Sequence, residues 1–201
     1  MEIRALDIAG AYEFTPPVFT DERGLFTSPY REEAFHRALG RPLFPVRQVS
    51  HNLSANGVLR GVHYTATPPG CAKYVCCQHG TVRDFLVDLR VGSPTFGRYE
   101  VTELGGGTGR ALYVPVGVGH AFLSTAEVSL VTYLLSAEYQ PANELALDPL
   151  DPAIGLPVPV TEPAHPPVRS RRDREAPSLD EAADRGLLPA YADCLAAEGL
   201  L

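Results

Sequence analysis

The sequence predicts an all-β chain, an antiparallel barrel or jelly roll carrying a few short helices. Three observations carry that prediction. Nineteen prolines and 18 glycines punctuate 201 residues, against one methionine and no tryptophan, which disfavours a helical bundle. From Val46 to Ser136, alternating or apolar runs of strand length follow one another, separated by turn residues. Hydrophobic residues make up 45% of the chain, enough for a globular core.

Taken in order, Glu13–Phe19 is broken by Pro16-Pro17 and reads as an edge segment at best. Arg31–Leu39 is the first helical pattern, with Ala34, Phe35, Ala38 and Leu39 at helical spacing and Gly40 as its stop. Strands are predicted at Val46–Asn52, Val58–Thr65, Ala72–Gln78, Thr81–Leu89, Phe96–Glu103, Ala111–Pro115, His120–Ser124 and Val128–Ser136. Asn56-Gly57, Pro68-Pro69-Gly70, His79-Gly80, Gly92-Ser93-Pro94 and Gly105-Gly106-Gly107 supply the turns. From Asp148 to Pro177 eight prolines mark an extended segment that wraps the body. Ser178-Leu179-Asp180-Glu181 has the spacing of a capping box, and Pro189 opens a second short helix through Ala197. The organisation predicted is one domain over residues 1–201. Its barrel core spans about 12–147; the wrap and C-terminal helices span 148–201.

With 24 acidic and 17 basic residues the formal charge is −7. That sign argues against nucleic acid or an anionic membrane as the main partner, since both need a basic footprint. No apolar run reaches the roughly 20 residues of a membrane span, and the N-terminus lacks a signal-peptide layout. Cys71, Cys76, Cys77 and Cys194 form no CxxC pairs and read as reduced thiols of a cytoplasmic protein. Cys76 and Cys77 should point to opposite faces of one strand.

A few side chains could carry chemistry. His63 lies in Arg60-Gly61-Val62-His63-Tyr64. Alternation groups it with Leu59 and Gly61 and sets Arg60, Val62 and Tyr64 on the other face. It is either a satisfied core histidine or a site residue. His120 follows the Gly117–Gly119 turn and begins the next strand. Tyr133, if interior, needs a hydrogen-bond partner. Lys73 reads as the start of a surface strand or as a site cation. Arg23, in the turn Asp21–Gly24, could join Arg60 in a bidentate anion clamp. Asp173 stands among Arg169, Arg171, Arg172 and Arg174, a charged stretch that would keep a carboxylate ionised and fit to orient an imidazole. The histidine spacing offers no metal site, and nothing marks Cys71 as an acidified nucleophile.

The order of Phe19-Thr20-Asp21-Glu22-Arg23-Gly24-Leu25-Phe26, Gln48-Val49-Ser50-His51-Asn52, Gly57–Tyr64, Ala72-Lys73-Tyr74-Val75, Asp84–Arg90, Pro115–Phe122 and Tyr139–Glu144 resembles the dTDP-4-keto-6-deoxyhexose epimerases. The resemblance runs from Phe19 to about Leu179. It implies a metal-free, cofactor-free, cupin-like jelly-roll barrel, a homodimer whose N-terminal strands pair across subunits, and a dTDP-linked 4-keto sugar as substrate. On this resemblance His63 is the general base and Asp173 its carboxylate partner. Lys73 stabilises the enolate oxygen and Tyr133 returns the proton. Arg23 and Arg60 hold the diphosphate, with Arg172 also in the substrate-binding set. Phe26 and Tyr139 contact the thymine and its sugar, and Gln48, His120 and Glu144 complete the pocket. Imidazole, with an ordinary pKa of about 6.5, suits proton abstraction near pH 7. Ser28 and Ser50 replace the glutamate and asparagine usual in the family. These departures resemble the antibiotic-pathway branch and imply inversion at C3, with C5 inversion weak or absent. The full 3,5-epimerase of the dTDP-rhamnose pathway is one alternative. A ketoisomerase, a non-catalytic nucleotide-sugar binder and a metal-dependent cupin oxygenase are the others.

Overall fold

A computed structural model of the chain describes residues 1–159 and 166–199. Positions 160–165 of the predicted wrap and the last two residues lie outside the described residues. The strands are β1 Glu2–Ala5, β2 Tyr12–Thr15, β3 Val18–Asp21, β4 Gly24–Thr27, β5 Gln48–Ala55, β6 Leu59–Thr65 and β7 Lys73–His79, then β8 Thr81–Asp88, β9 Tyr99–Gly105, β10 Ala111–Val114, β11 Val118–Ser124, β12 Val128–Leu135 and β13 Glu144–Ala146. The helices are α1 Glu32–Leu39, α2 Arg171–Arg174, α3 Leu179–Asp184 and α4 Tyr191–Glu198. Among the described residues no helix is long and apolar enough to cross a membrane.

The strands form a six-stranded sheet, β1-β2-β10-β7-β12-β5, a five-stranded sheet, β13-β6-β11-β8-β9, and a separate hairpin, β3-β4. Every strand pair is antiparallel. The predicted all-β antiparallel class therefore holds. The two large sheets remain separate ladders among the described residues rather than one closed, hydrogen-bonded barrel.

Between them lies a core to which both sheets contribute: Val75, Leu112, Val114 and Val131 from one, Val82, Leu86, Leu104 and Phe122 from the other. Their outer faces are covered as well. Leu147, Ile154, Val158 and Ala182 of the wrap and α3 pack on Leu59, Val62, Tyr64 and Phe85. Phe35 of α1, with Phe44 and Cys194, packs on Phe14, Tyr74 and Tyr113. The Phe35 and Tyr113 rings meet edge to face at 5.2 Å. Strands covered on both faces bury every side chain, so β10 and β11 are buried throughout and read as apolar runs rather than clean alternation. Cys76 and Cys77 do fall on opposite faces, and all four cysteines are free.

Local signals place the helices. Gly40 caps α1 in the left-handed conformation, and Ser178 with Glu181 forms the expected capping box of α3. Several expectations need correction. The segment after Glu13 is no edge: β2 lies between β1 and β10, and Pro16-Pro17 fall in the link to β3. β1 and α2 had no sequence signal strong enough to predict them. His120 is the third residue of β11, not its first.

One irregularity positions the site. Between His120 and Phe122 β11 advances two residues while β6 advances three, from His63 to Arg60. This bulge brings Arg60 and His63 onto one cavity, against the alternation read from the sequence. Gly61 makes it possible. Its φ is +114°, and a Cβ there would lie 2.5 Å from Ala121 Cβ and the His120 carbonyl oxygen.

Candidate active site

Where the two sheets part at one end, a cavity of about 390 Å³ opens. Gln48, Ser50 and Asn52 of β5, Lys73 of β7 and Tyr133 of β12 line it from the six-stranded sheet. Arg60 and His63 of β6, His120 of β11 and Glu144 of β13 line it from the other. Tyr139 and Arg172 reach it from the loop after β12 and from α2.

His63 and Asp173 form a dyad: Nε2 lies 2.6 Å from Asp173 Oδ1. Asp173 is 2% exposed and sits behind His63 rather than in the cavity. The one-turn helix α2 holds it, with Ser170 Oγ accepting from the Asp173 backbone N–H. A strand-like bridge from Val58 to Val168 fastens that segment to the start of β6. Burial alone would raise the Asp173 carboxyl. The hydrogen bonds and charges of His63, Ser170 and Arg172 outweigh it and hold the group below the usual carboxylate range. An ionised carboxylate only accepts, so Nε2 carries a proton toward it, and in the neutral imidazole the lone pair is then on Nδ1.

Tyr133 is buried. Burial pushes its phenol above the usual range, only partly offset by a hydrogen bond donated by Asn52. It is a neutral O–H donor at neutral pH. Lys73 is buried too, with Nζ 3.3 Å from the His63 carbonyl oxygen. Among the described residues no carboxylate lies within ion-pair distance of it. It is a cation placed to meet negative charge arriving in the cavity. Glu144 accepts from Thr65 at 2.8 Å, and Gln48 accepts from the Tyr139 backbone N–H at 2.8 Å. Among the described residues no group of three or more His, Cys, Asp or Glu side chains is arranged to hold a metal.

Sequence reasoning missed Asp84 and Asn52. Asp84 Oδ2 lies 2.7 Å from His120 Nε2, and His120 is the cross-strand neighbour of His63. The signal for Asp84 was an acid inside the apolar run Thr81–Leu89, which demands a buried partner. Asn52 shares a strand face with Gln48, four residues away. Two predicted residues fall elsewhere. Arg23 and Phe26 stand on the β3-β4 hairpin, away from this chain's own cavity. The Arg23 side chain is 86% exposed, paired with Asp21, and Phe26 is 66% exposed.

The sequence profile of the dTDP-4-dehydrorhamnose 3,5-epimerases matches residues 5–181. The chain belongs to that family. It is accordingly a carbohydrate epimerase, an isomerase. Among its relatives, the dTDP-4-dehydrorhamnose 3,5-epimerase of Mycolicibacterium smegmatis is 46% identical, over 98% of this chain and 94% of the relative. The dTDP-4-dehydrorhamnose 3-epimerase of Streptomyces niveus is 44% identical, over 98% and 92%. Among solved structures, the epimerase fold closely matches a 3'-monoepimerase from Streptomyces bikiniensis in complex with dTDP-quinovose. That match has a TM-score of 0.87 and 41% identity, covering 97% of this chain and 96% of the other.

Proposed function

We propose that the cavity binds a dTDP-linked 4-keto-6-deoxyhexose and inverts its C3 centre through an enolate. One observation carries this reading: the base and the acid stand on facing sheets. His63 belongs to the five-stranded sheet and Tyr133 to the six-stranded one, so a sugar ring lying between them presents one face to each. The C4 carbonyl acidifies the C3 hydrogen. His63 Nδ1 takes that proton, and the C–H electron pair becomes the enolate, its charge on the C4 oxygen beside Lys73. Tyr133 then protonates C3 from the opposite face, and solvent resets both groups. Proton out and proton in balance with no redox partner.

The two-sheet arrangement, read as a cupin-like jelly roll, supports the same assignment. Arg60 and Arg172 fit a diphosphate, and Tyr139, half exposed at the rim, fits the base and its sugar. Inversion at both C3 and C5 is the second reading, favoured by the 3,5-epimerase relative. Incubation with a dTDP-4-keto-6-deoxyglucose in deuterated water, followed by proton NMR, separates the two. Deuterium confined to C3 with a C3-inverted product is expected. Deuterium at both carbons with a doubly inverted product would replace the single-centre assignment.

A second copy of the chain completes the site in this proposal. The β3-β4 hairpin pairs with no other strand among the described residues and exposes Phe19, Leu25 and Phe26. The edge strand β5 exposes Val49 and Leu53. Apolar surface of this kind asks for cover. The hairpin, crossing to a partner, would bring Arg23 and Phe26 to the partner's cavity. Heterodimers pairing an Arg23→Ala subunit with a His63→Asn subunit test this. Exchange across the interface leaves one intact site and about half the activity. Heterodimers no more active than the two inactive parents would assign Arg23 to its own subunit.

A further inference from the structure

The phenol of Tyr133 must do more than lie in the cavity: its proton has to point at the substrate. In the ladder of β5 with β12, Tyr133 stands opposite Ser50 and Asn52 opposite Val131. Ser50 and Asn52 share one face of β5, yet only one of them serves the phenol. Ser50 Oγ accepts from Gln48 Nε2 at 2.8 Å, and the Gln48 carbonyl is occupied by the Tyr139 backbone N–H. Asn52 Nδ2 lies 3.2 Å from Tyr133 Oη. It makes the only side-chain hydrogen bond to that oxygen among the described residues.

We propose that Asn52 is the positioning residue of Tyr133, donating to the phenol oxygen so that the phenol proton is directed into the cavity. This rests on Tyr133 being the proton donor of the proposed reaction. An amide N–H can only donate, so it occupies an oxygen lone pair and leaves the O–H free for another acceptor. Once the proton has left, the same N–H stabilises the phenolate. The surroundings supply little of this. Asp84 of β8 opposes negative charge on the oxygen, Arg60 of β6 favours it, Cys77 of β7 is a neutral thiol whose pKa burial raises, and His120 of β11 packs edge-on against the ring at 5.7 Å.

The test separates proton removal from proton return. In deuterated water with a dTDP-4-keto-6-deoxyglucose, deuterium uptake at C3 reports His63 and inversion reports Tyr133. Asn52→Ala is expected to slow inversion roughly ten-fold, the effect of one ordinary hydrogen bond. KM should be little changed and uptake should persist, so recovered substrate gains deuterium without inverting. Asn52→Asp keeps the shape but turns the donor into an acceptor for the phenol proton. Its loss of inversion should be larger, on the order of a hundred-fold. In a Tyr133→Phe background neither change should matter further. Equal falls in uptake and inversion, or unaltered inversion in both variants, would overturn the assignment to Asn52. Full inversion by Tyr133→Phe alone would instead remove Tyr133 from the mechanism.

Discussion

Replacing His63 by asparagine is expected to lower epimerisation by on the order of 10²–10⁴-fold, the range of general-base assistance, and to abolish deuterium uptake at C3. The asparagine amide could still meet Asp173 but offers no basic nitrogen to the cavity. Asp173→Asn should also be severe, roughly 10²-fold or more, for a different reason. An amide in place of Asp173 Oδ1 can present its N–H to Nε2, which moves the imidazole proton to Nδ1 and blocks the base. The 2.6 Å contact and the lowered Asp173 carboxyl both belong to the opposite tautomer. Rapid-quench measurement of C3 exchange in the two variants checks the idea. Wild-type exchange in His63→Asn would assign the base elsewhere.

Lys73→Met should cost on the order of 10²–10³-fold in kcat, the scale of losing one donor aimed at a developing oxyanion. Methionine fills a similar volume, so β7 should keep its place while the positive charge is lost. The ketone carries little charge before deprotonation and a full one after it. The effect should therefore fall mainly on kcat, with a smaller change in KM. Lys73→Arg should not restore full activity, because a planar fork cannot reproduce a compact ammonium in a buried position. Steady-state kinetics on the three proteins decide it. A purely KM effect would place Lys73 in ground-state binding.

Much of this was legible in the residues because the signals were local. Gly40 and the Ser178–Glu181 box fixed helix ends, and turn pairs such as His79-Gly80 separated strands that do form. What failed was non-local. Alternation put Arg60 and His63 on opposite faces; the bulge that unites them exists because β11 approaches Gly61, and only the pairing of distant segments shows it. Burial of both sheet faces erased the period-two pattern that would have revealed which residues look into the cavity. Asp84 was hidden within an apolar strand, its partner His120 being 36 residues away. Asp173 itself was legible as a carboxylate held among arginines, but the one-turn helix that carries it has too few residues to announce itself. Arg23 and Phe26 were legible as residue types, but the exposed β3-β4 hairpin holds them away from this chain's own cavity, and their role rests on the proposed second copy.

The bond between His63 and Asp173 spans 110 residues of sequence. During synthesis the strands that shape the cavity emerge first, and with them an imidazole that has no carboxylate behind it. On the proposed mechanism, the base acquires its orientation only when the last fifth of the chain has left the ribosome and α2 has closed against β6. Epimerase activity therefore reports a finished molecule. A chain stopped after the sheets would lack Asp173, the Arg172 side of the cavity and the cover of the five-stranded sheet, and is expected to lose epimerase activity.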